Sequence, residues 1–371
     1  MRDGRCATRG TVKPMPELRA WRVTQRHDWN TFVESAAYRS FPQLWEWGEL
    51  RQPAGWRPVR LAVGPDPAQP PLAGTQVLVR DVPVVKWRLG YAPRGPVGEL
   101  DDAPVREAMT SALRALARDE GIATIKVDPE ATPDSPWGQA LLEPPWRGAT
   151  RVQPPRTRLI DLGQDEEALR SAMKRKHRQY VAKAEREGIT VEQMDGGAFK
   201  PIADQWLDDF YAIYTHTAER AGFVARASTY YQRVWDLFAP SGHVRLSFAS
   251  RDGERLATLF HFTVGDRVAE AFGGMTDAGA ESRANYLLKW EAIAGFKRDG
   301  FATYDLWGLA TGGIAQFKEG FGGQQVDYVG ARDLTVKPAE DMALRFALPA
   351  YGIAQRARLR LSGRHLAGSD D

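Results

Sequence analysis

A single lysine, Lys318, stands between Phe317 and Glu319 near the end of a stretch that begins as a short apolar run at Tyr304 and continues through glycines at 308, 312, 313, 320, 322 and 323. The run reads as a buried strand, and the glycines read as turns that permit positive φ and close backbone approach. Such a strand can deliver a cation to a pocket, where a fixed ammonium stabilises negative charge that develops during a reaction. The alternative is a solvated lysine beside glycines that serve only the turns.

Two further groups of cations carry chemical meaning. One predicted helix, 165–188, holds Lys174, Arg175, Lys176, His177, Arg178, Lys183 and Arg186. Pairing with Glu185 and Glu187 cannot neutralise that density, so the helix reads as an electropositive surface suited to phosphates, against the alternative of a solvated face. The segment 217–231 sets Arg220 and Arg226 around Gly222, with Tyr230 one helical turn after Arg226. An arginine beside tyrosines can clamp a phosphate and stack a base or sugar; equally, it can cap a helix whose aromatics sit in the core. Other chemistries are missing: no Cys/His spacing suits zinc, no Walker lysine loop occurs, and there is no Gly-x-Ser-x-Gly elbow. His261, between Phe260 and Phe262 on a strand, reads as structural rather than as a base. No metal and no cofactor is expected.

The elements that must hold these groups repeat. Strands at 58–63 and 72–79, a helix at 104–120, Gly121 and a strand at 123–127 are matched in order by strands at 243–248 and 256–262, a helix at 285–298, Gly300 and a strand at 302–306. Asp252 and Gly253 form a hairpin turn between the strands of the second set. The offset stays at about 180 residues, which argues for a duplicated α/β unit rather than a shared hydrophobic alphabet. Each unit orders several antiparallel strands, a long helix and a parallel return strand, and so resembles an N-acetyltransferase-like (GNAT) domain. The expected fold class is α/β (α+β), with two tandem GNAT-like domains, a cleft between them and no coiled-coil arm. The expected division is a disordered N-terminus at 1–16, a first domain at 17–156 plus 331–361, a second at 157–330, and a polar tail at 362–371. Within it, 84–87 is strand-like, 153–156 is a stiff Pro-rich linker, and a basic C-terminal helix carries Arg345, Arg356, Arg358, Arg360 and Arg364.

At 371 residues the chain is long enough for two or three cores, and its 12 Trp, 15 Phe and 11 Tyr suit pockets as well as cores. The net charge of +3 conceals the local clustering, so partners must be read from patches. One cysteine, Cys6, excludes an internal disulfide framework and fits a reducing compartment. Residues 1–16 lack the apolar core of a secretory leader, and no run approaches the ~18 apolar residues of a membrane span. A cytoplasmic protein is expected, with peripheral contact at the inner face of the plasma membrane as the only membrane association open to it.

Six stretches together carry a family resemblance: the aromatic helix at 41–51, Tyr91-Ala-Pro-Arg-Gly-Pro96, Gln153-Pro-Pro-Arg-Thr157, Met173-Lys-Arg-Lys-His-Arg178, Tyr286-Leu-Leu-Lys-Trp290 and the run from Tyr304 to Gly323. On these the chain resembles the Fem family (FemA, FemB, FemX) of tRNA-dependent non-ribosomal peptidyl transferases, and among them FemX in its compactness. The resemblance implies that a monomer transfers glycine, alanine or serine from aminoacyl-tRNA to a side-chain amine of the stem peptide, in a UDP-MurNAc-pentapeptide or lipid II precursor. It also implies site residues. Arg51, where a lysine is common, and Arg226, one turn before Tyr230, would hold the precursor diphosphate. Lys318 would sit at the transfer centre with Phe317 shaping the channel, and Phe272 replaces a tyrosine of the cleft, which removes a hydroxyl. Tyr91, Trp47 and Arg220 complete the expected substrate-binding set, and Lys174, Arg175, Lys176, Arg178 and Lys183 are tRNA-binding candidates. Two other readings stay open. One is an acyl-CoA-dependent N-acyltransferase, disfavoured because Arg94-Gly-Pro-Val-Gly98 has the wrong spacing for a pyrophosphate loop and Ser282-Arg-Ala-Asn285 has no glycine. The other is a non-catalytic tRNA- or membrane-binding adaptor.

Overall fold

The computed structural model describes residues 17–82, 87–196, 200–309 and 313–342. The expected disorder at 1–16, most of the strand-like 84–87 and the polar tail lie outside these residues, as do Arg345, Arg356, Arg358, Arg360 and Arg364 of the basic C-terminal helix.

Two sheets account for the repeat. In the first half, β1 (Arg19–Arg22) precedes α1 (Arg26–Ser35), a 3-10 turn (Phe41–Gln43) and α2 (Trp45–Arg51). Strands β2 (Arg57–Gly64), β3 (Ala73–Asp81), β4 (Arg88–Ala92) and β5 (Val97–Gly98) then lead to α3 (Ala103–Asp119), β6 (Ile122–Val127), α4 (Pro136–Leu142) and β7 (Trp146–Gly148). Helix α3 shows how the sequence dictates the layer. Pro104 in its first turn gives up no hydrogen bond, and Val105, Met109, Leu113 and Leu116 recur every three or four residues on the face it buries.

The second half opens with β8 (Arg156–Asp161), α5 (Glu166–Ala172), α6 (Arg175–Arg186), β9 (Thr190–Asp195), α7 (Lys200–Ala221) and α8 (Ser228–Phe238). It continues through β10 (Val244–Arg251), β11 (Glu254–Val264), β12 (Arg267–Met275), α9 (Asp277–Ser282) and α10 (Ala284–Arg298) to β13 (Thr303–Asp305), α11 (Gly313–Glu319) and β14 (Gln324–Asp327); β15 (Arg332–Thr335) follows. The hairpin expected at 252–253 is present. Asp252 and Gly253 both have positive φ, 52° and 82°, and Arg251 lies opposite Glu254.

The sheets share one order: β1-β2-β3-β4-β6-β15-β7 in the first, with β5 on β3, and β9-β10-β11-β12-β13-β8-β14 in the second. Each has one parallel pair, β4 with β6 and β12 with β13, joined through the long helix α3 or α10. In each sheet the strand beside that pair follows the other sheet's edge strand in the chain. β8, which follows β7 in the chain, inserts between β13 and β14, while β15, which follows β14, inserts between β6 and β7. The halves also share a core, in which Trp29, Phe41, Leu44 and Leu50 bury with Phe210, Tyr231, Phe260 and Phe262. Beside it the half-buried Arg267 of β12 bridges Glu130 of the first half and Asp305 of the second. Among the described residues no helix is long and apolar enough to cross a membrane.

Two expected elements differ. The helix read over 165–188 is broken into α5 and α6: Met173 is buried at the break, and the Lys174 N–H donates to the Gly320 carbonyl instead of continuing the helix. The glycine-bounded turn around Lys318 contains a helix, α11, which tertiary packing on α6 sustains despite its glycines.

Candidate active site

Helix α10 buries Leu287, Leu288, Trp290, Ile293 and Phe296, and so is apolar nearly all round. Such a helix belongs in the core, and the lysine it carries, Lys289 at 2% exposure, must find a counter-charge there. It finds Glu270 of β12, whose Oε1 accepts from Nζ. Tyr304 donates its hydroxyl to Oε2 of the same carboxylate at 2.8 Å. That hydroxyl has a single proton, so His261 must donate through Nε2–H in its 2.8 Å contact with the tyrosine oxygen. Burial drives His261 down to about 3, so the ring is neutral and structural, as its strand position suggested. Burial alone would raise the carboxyl of Glu270, but the ammoniums of Lys289 and Lys318 outweigh it and hold it below the ordinary range.

Over this network opens a cavity of about 650 Å³ lined by Glu270, Lys289, Phe317 and Lys318, with Phe272, Tyr286 and Asn285 on its walls and Arg220, Arg283 and Phe223 among its outer residues. Helix α11 delivers Lys318 from its last turn. The Nζ donates to the carbonyls of Trp307 at 2.7 Å and Gly308 at 2.8 Å. Burial pushes this ammonium down to about 8, although Glu270 and Asp305 favour the charge. An ammonium has three N–H groups; two are committed to the carbonyls, and the third can meet an oxygen in the cavity. Phe317 packs edge-on against Tyr286, 4.9 Å between ring centres, with the Lys289 ammonium 5.0 Å from its own centre.

The seat of α11 is α6. His177, buried, donates from Nε2 to the Phe317 carbonyl at 3.0 Å and lies edge-on to Tyr286 and Phe321. A Cβ on Gly320 would stand 2.0 Å from that imidazole, so glycine alone fits there. This, rather than approach of a ligand, is what Gly320 is for.

Among the described residues the cavity is lined by those between Tyr214 and Lys318 alone. The lysine therefore does not point into a gap shared by the two halves, as the repeat suggested. The rings of Phe41, Trp47 and Trp307 and the guanidinium of the buried Arg94 pack together where the halves meet.

Of the residues singled out in the sequence, Lys318, Phe317, Phe272 and Arg220 meet in this cavity. The others stand elsewhere. Arg51 is buried at the end of α2, Trp47 lies beside Phe41, and Arg226 sits before α8 with its guanidinium 4.9 Å from the centre of the Tyr230 ring. Helices α2 and α8 pack together, Arg233 donating to the Glu49 carbonyl at 3.2 Å. Tyr91, on β4, donates its hydroxyl to the buried Asp128 at 2.8 Å. Among the basic residues of the 174–186 segment, Arg175 and Lys176 are exposed, but Lys174 pairs with Glu319 at 3.0 Å and Lys183 with Glu187 at 3.5 Å. Arg178 donates to the carbonyls of Ser171 and Met173 and so closes the end of α5. With His177 turned inward, the electropositive face is thinner than composition implied. Sequence reasoning missed Glu270, Lys289 and Tyr304; the available signal was Lys289 itself, a cation inside an otherwise apolar helix. Among the described residues no group of His, Cys, Asp or Glu could hold a metal ion. With two ammoniums against one carboxylate, the floor of the cavity suits an anionic ligand or a developing oxyanion.

Comparison with known proteins agrees with this architecture. A model of the FemAB family matches residues 24–135, and an acetyltransferase (GNAT) domain model matches residues 168–319. The lipid II:glycine glycyltransferase of Staphylococcus aureus is 27% identical over 241 residues, covering 62% of this chain and 54% of that protein. The chain thus spans about half the length of the curated relatives it matches. Among solved structures, the crystal structure of FemX matches with a TM-score of 0.79 at 19% identity, over 88% of this chain and 99% of that one. A tandem GNAT protein from the clavulanic acid biosynthesis pathway matches with a TM-score of 0.50 at 12% identity, over 86% of this chain and 99% of that one. Both likenesses are of fold.

Proposed function

Because a FemAB family model matches residues 24–135 and the chain folds as two tandem GNAT domains, we propose that it is an aminoacyltransferase of peptidoglycan precursors. It moves an amino acid from aminoacyl-tRNA to a side-chain amine of the stem peptide. The observation that carries this reading is Lys318, an ammonium with one N–H left over in the floor of an open cavity. The ester of a charged tRNA is already activated, so the protein's task is to hold two substrates and stabilise charge. The neutral amine attacks the ester carbonyl, and the third N–H of Lys318 meets the oxyanion. As the C–O bond to the ribose breaks, the departing hydroxyl gains a proton and the attacking nitrogen loses one. Glu270, the one carboxylate among the described lining residues, is engaged by Lys289 and Tyr304, so that proton passes through substrate groups.

Arg220 and Arg283 on the cavity, with the exposed Arg175 and Lys176 on α6, suit the phosphates near a tRNA 3′ end. Arg51 and Tyr230, on the packed α2 and α8, and Arg226, just before α8, suit the precursor's diphosphate. The name of the Staphylococcus aureus relative favours glycine as the donated residue and lipid II as the acceptor. The reading places the protein at the inner face of the plasma membrane, reached by peripheral contact.

The test supplies the full-length protein with labelled glycyl-tRNA and a synthetic lipid-linked precursor. Label on the stem-peptide amine is the expected product. Label accepted from acetyl-CoA but not from charged tRNA would replace the reading with an acyl-CoA N-acyltransferase. Salt-sensitive tRNA binding without product would leave an adaptor.

A further inference from the structure

Trp307 has a φ of 45°, in the left-handed region that glycine tolerates and a bulky side chain resists. Gly308 beside it is also left-handed, at 68°, without such strain. A tryptophan persists in that conformation only where its surroundings determine it, and these surroundings have two sides. The Trp307 N–H donates to Asp305 Oδ1 at 2.7 Å, and Asp305 in turn accepts from Thr157 and Arg267. The indole lies 4.8 Å from the ring of Phe41 and 5.0 Å from the Arg94 guanidinium, both of the first half. Phe41 in turn touches Trp47 of α2, the helix that ends in Arg51. On the main-chain side, the carbonyls of Trp307 and Gly308 are the two acceptors that hold Lys318. One strained residue therefore meets the first half with its ring and Lys318 with its backbone.

We infer that Trp307 is a positioning residue: the first half, by gripping the indole, sets the direction of the two carbonyls that aim Lys318 into the cavity of the second half. The role of Lys318 rests on the function proposed above, but the mechanical link does not. A change in packing around Phe41 and α2, where the precursor diphosphate is proposed to bind, would reach the lysine through this ring.

The link is tested on the full-length protein without substrates. Competitive labelling with an amine-selective acylating reagent over a pH series, read by mass spectrometry, gives the midpoint at which Lys318 loses its proton. Trp307→Gly keeps the left-handed backbone and deletes the ring; Trp307→Phe keeps an aromatic contact. The wild-type midpoint is expected near 8. Trp307→Gly should move it upward by about one pH unit or more, because a lysine released from its carbonyls relaxes into the open cavity and water. Trp307→Phe should stay close to wild type. Phe41→Ala, which removes the indole's neighbour and leaves residue 307 alone, should shift it in the same direction, and it decides the matter if Trp307→Gly does not fold. A midpoint unmoved in a folded Trp307→Gly or Phe41→Ala overturns the inference. A wild-type protein that transfers no amino acid while the midpoint still shifts would remove the proposed activity and leave Trp307 in its role.

Discussion

Replacing Gly320 with alanine puts one methyl group where the structure has none to spare. The new Cβ would stand 2.0 Å from Cε1 and Nε2 of His177 and 2.5 Å from Cδ2. Relief requires the imidazole to retreat by more than an ångström, and it is held on every side. Its Nε2 donates to the Phe317 carbonyl at 3.0 Å, its ring meets Tyr286 and Phe321 at centre distances of 4.9 and 5.0 Å, and 7% of the residue is exposed. Losing that hydrogen bond removes about 1 kcal/mol, and overpacking a filled site adds about 1–3 kcal/mol. The residue is outside the positive-φ region, so alanine also recovers roughly 0.4–1 kcal/mol of chain entropy, leaving a net destabilisation of about 1–3.5 kcal/mol. If the imidazole holds its place instead, α11 must lift, and Phe317 and Lys318 move with it, so turnover falls as well. Urea denaturation of Gly320→Ala, His177→Ala and the double variant measures the coupling directly. The double variant should be more stable than the sum of the single effects predicts by about 2 kcal/mol, since the clash has no partner once the ring is gone. Were Gly320 merely a helix terminus, the cost of the alanine would be the same with and without His177. Additive effects would therefore refute the steric account of how α6 seats the lysine helix.

Three other outcomes follow from the same geometry. Lys289→Met leaves the Glu270 carboxylate buried with one donor fewer, and should destabilise the fold by roughly 3–5 kcal/mol, read as a lower denaturation midpoint at constant m-value. The pH dependence of turnover should rise as the acceptor amine loses its proton and then flatten near pH 8, where Lys318 loses the proton it needs; in Lys318→Met that break should vanish and the rise continue. Arg226→Ala should weaken precursor affinity by about 10- to 100-fold, the worth of a charge-assisted hydrogen bond, with the rate at saturation nearly unchanged.

The repeat and the hairpin were legible because they are local. Hydrophobic alternation and the Asp252-Gly253 pair act within a few residues, and the structure follows them closely. The lysine that lines the cavity was legible from its glycine-rich setting. Its helix was not, because seven residues flanked by glycines have little intrinsic tendency to coil and are held by His177, some 140 positions away in the chain. The same contact explains the misjudged helix at 165–188: a count of basic residues treats His177 as surface charge, while the fold turns it inward and breaks the helix to do so. The Glu270, Lys289 and Tyr304 network escaped because its members come from three separate elements of one sheet and its helix. The expectation that Lys318 faces a gap between the halves failed for a related reason. Duplication predicts two units, but whether their junction is open depends on side chains such as Phe41 and Trp307, which pack across it.

The central claim is that the ammonium of Lys318 stabilises the transition state of aminoacyl transfer in the cavity of the second half. Single-turnover transfer from glycyl-tRNA to a lipid-linked precursor by wild type and Lys318→Met, with precursor binding followed by calorimetry on the same preparations, tests it most directly. The account predicts a loss of about 10²- to 10³-fold in the transfer step, as for removal of one oxyanion donor, with precursor affinity unchanged. Transfer by Lys318→Met at the wild-type rate would contradict it.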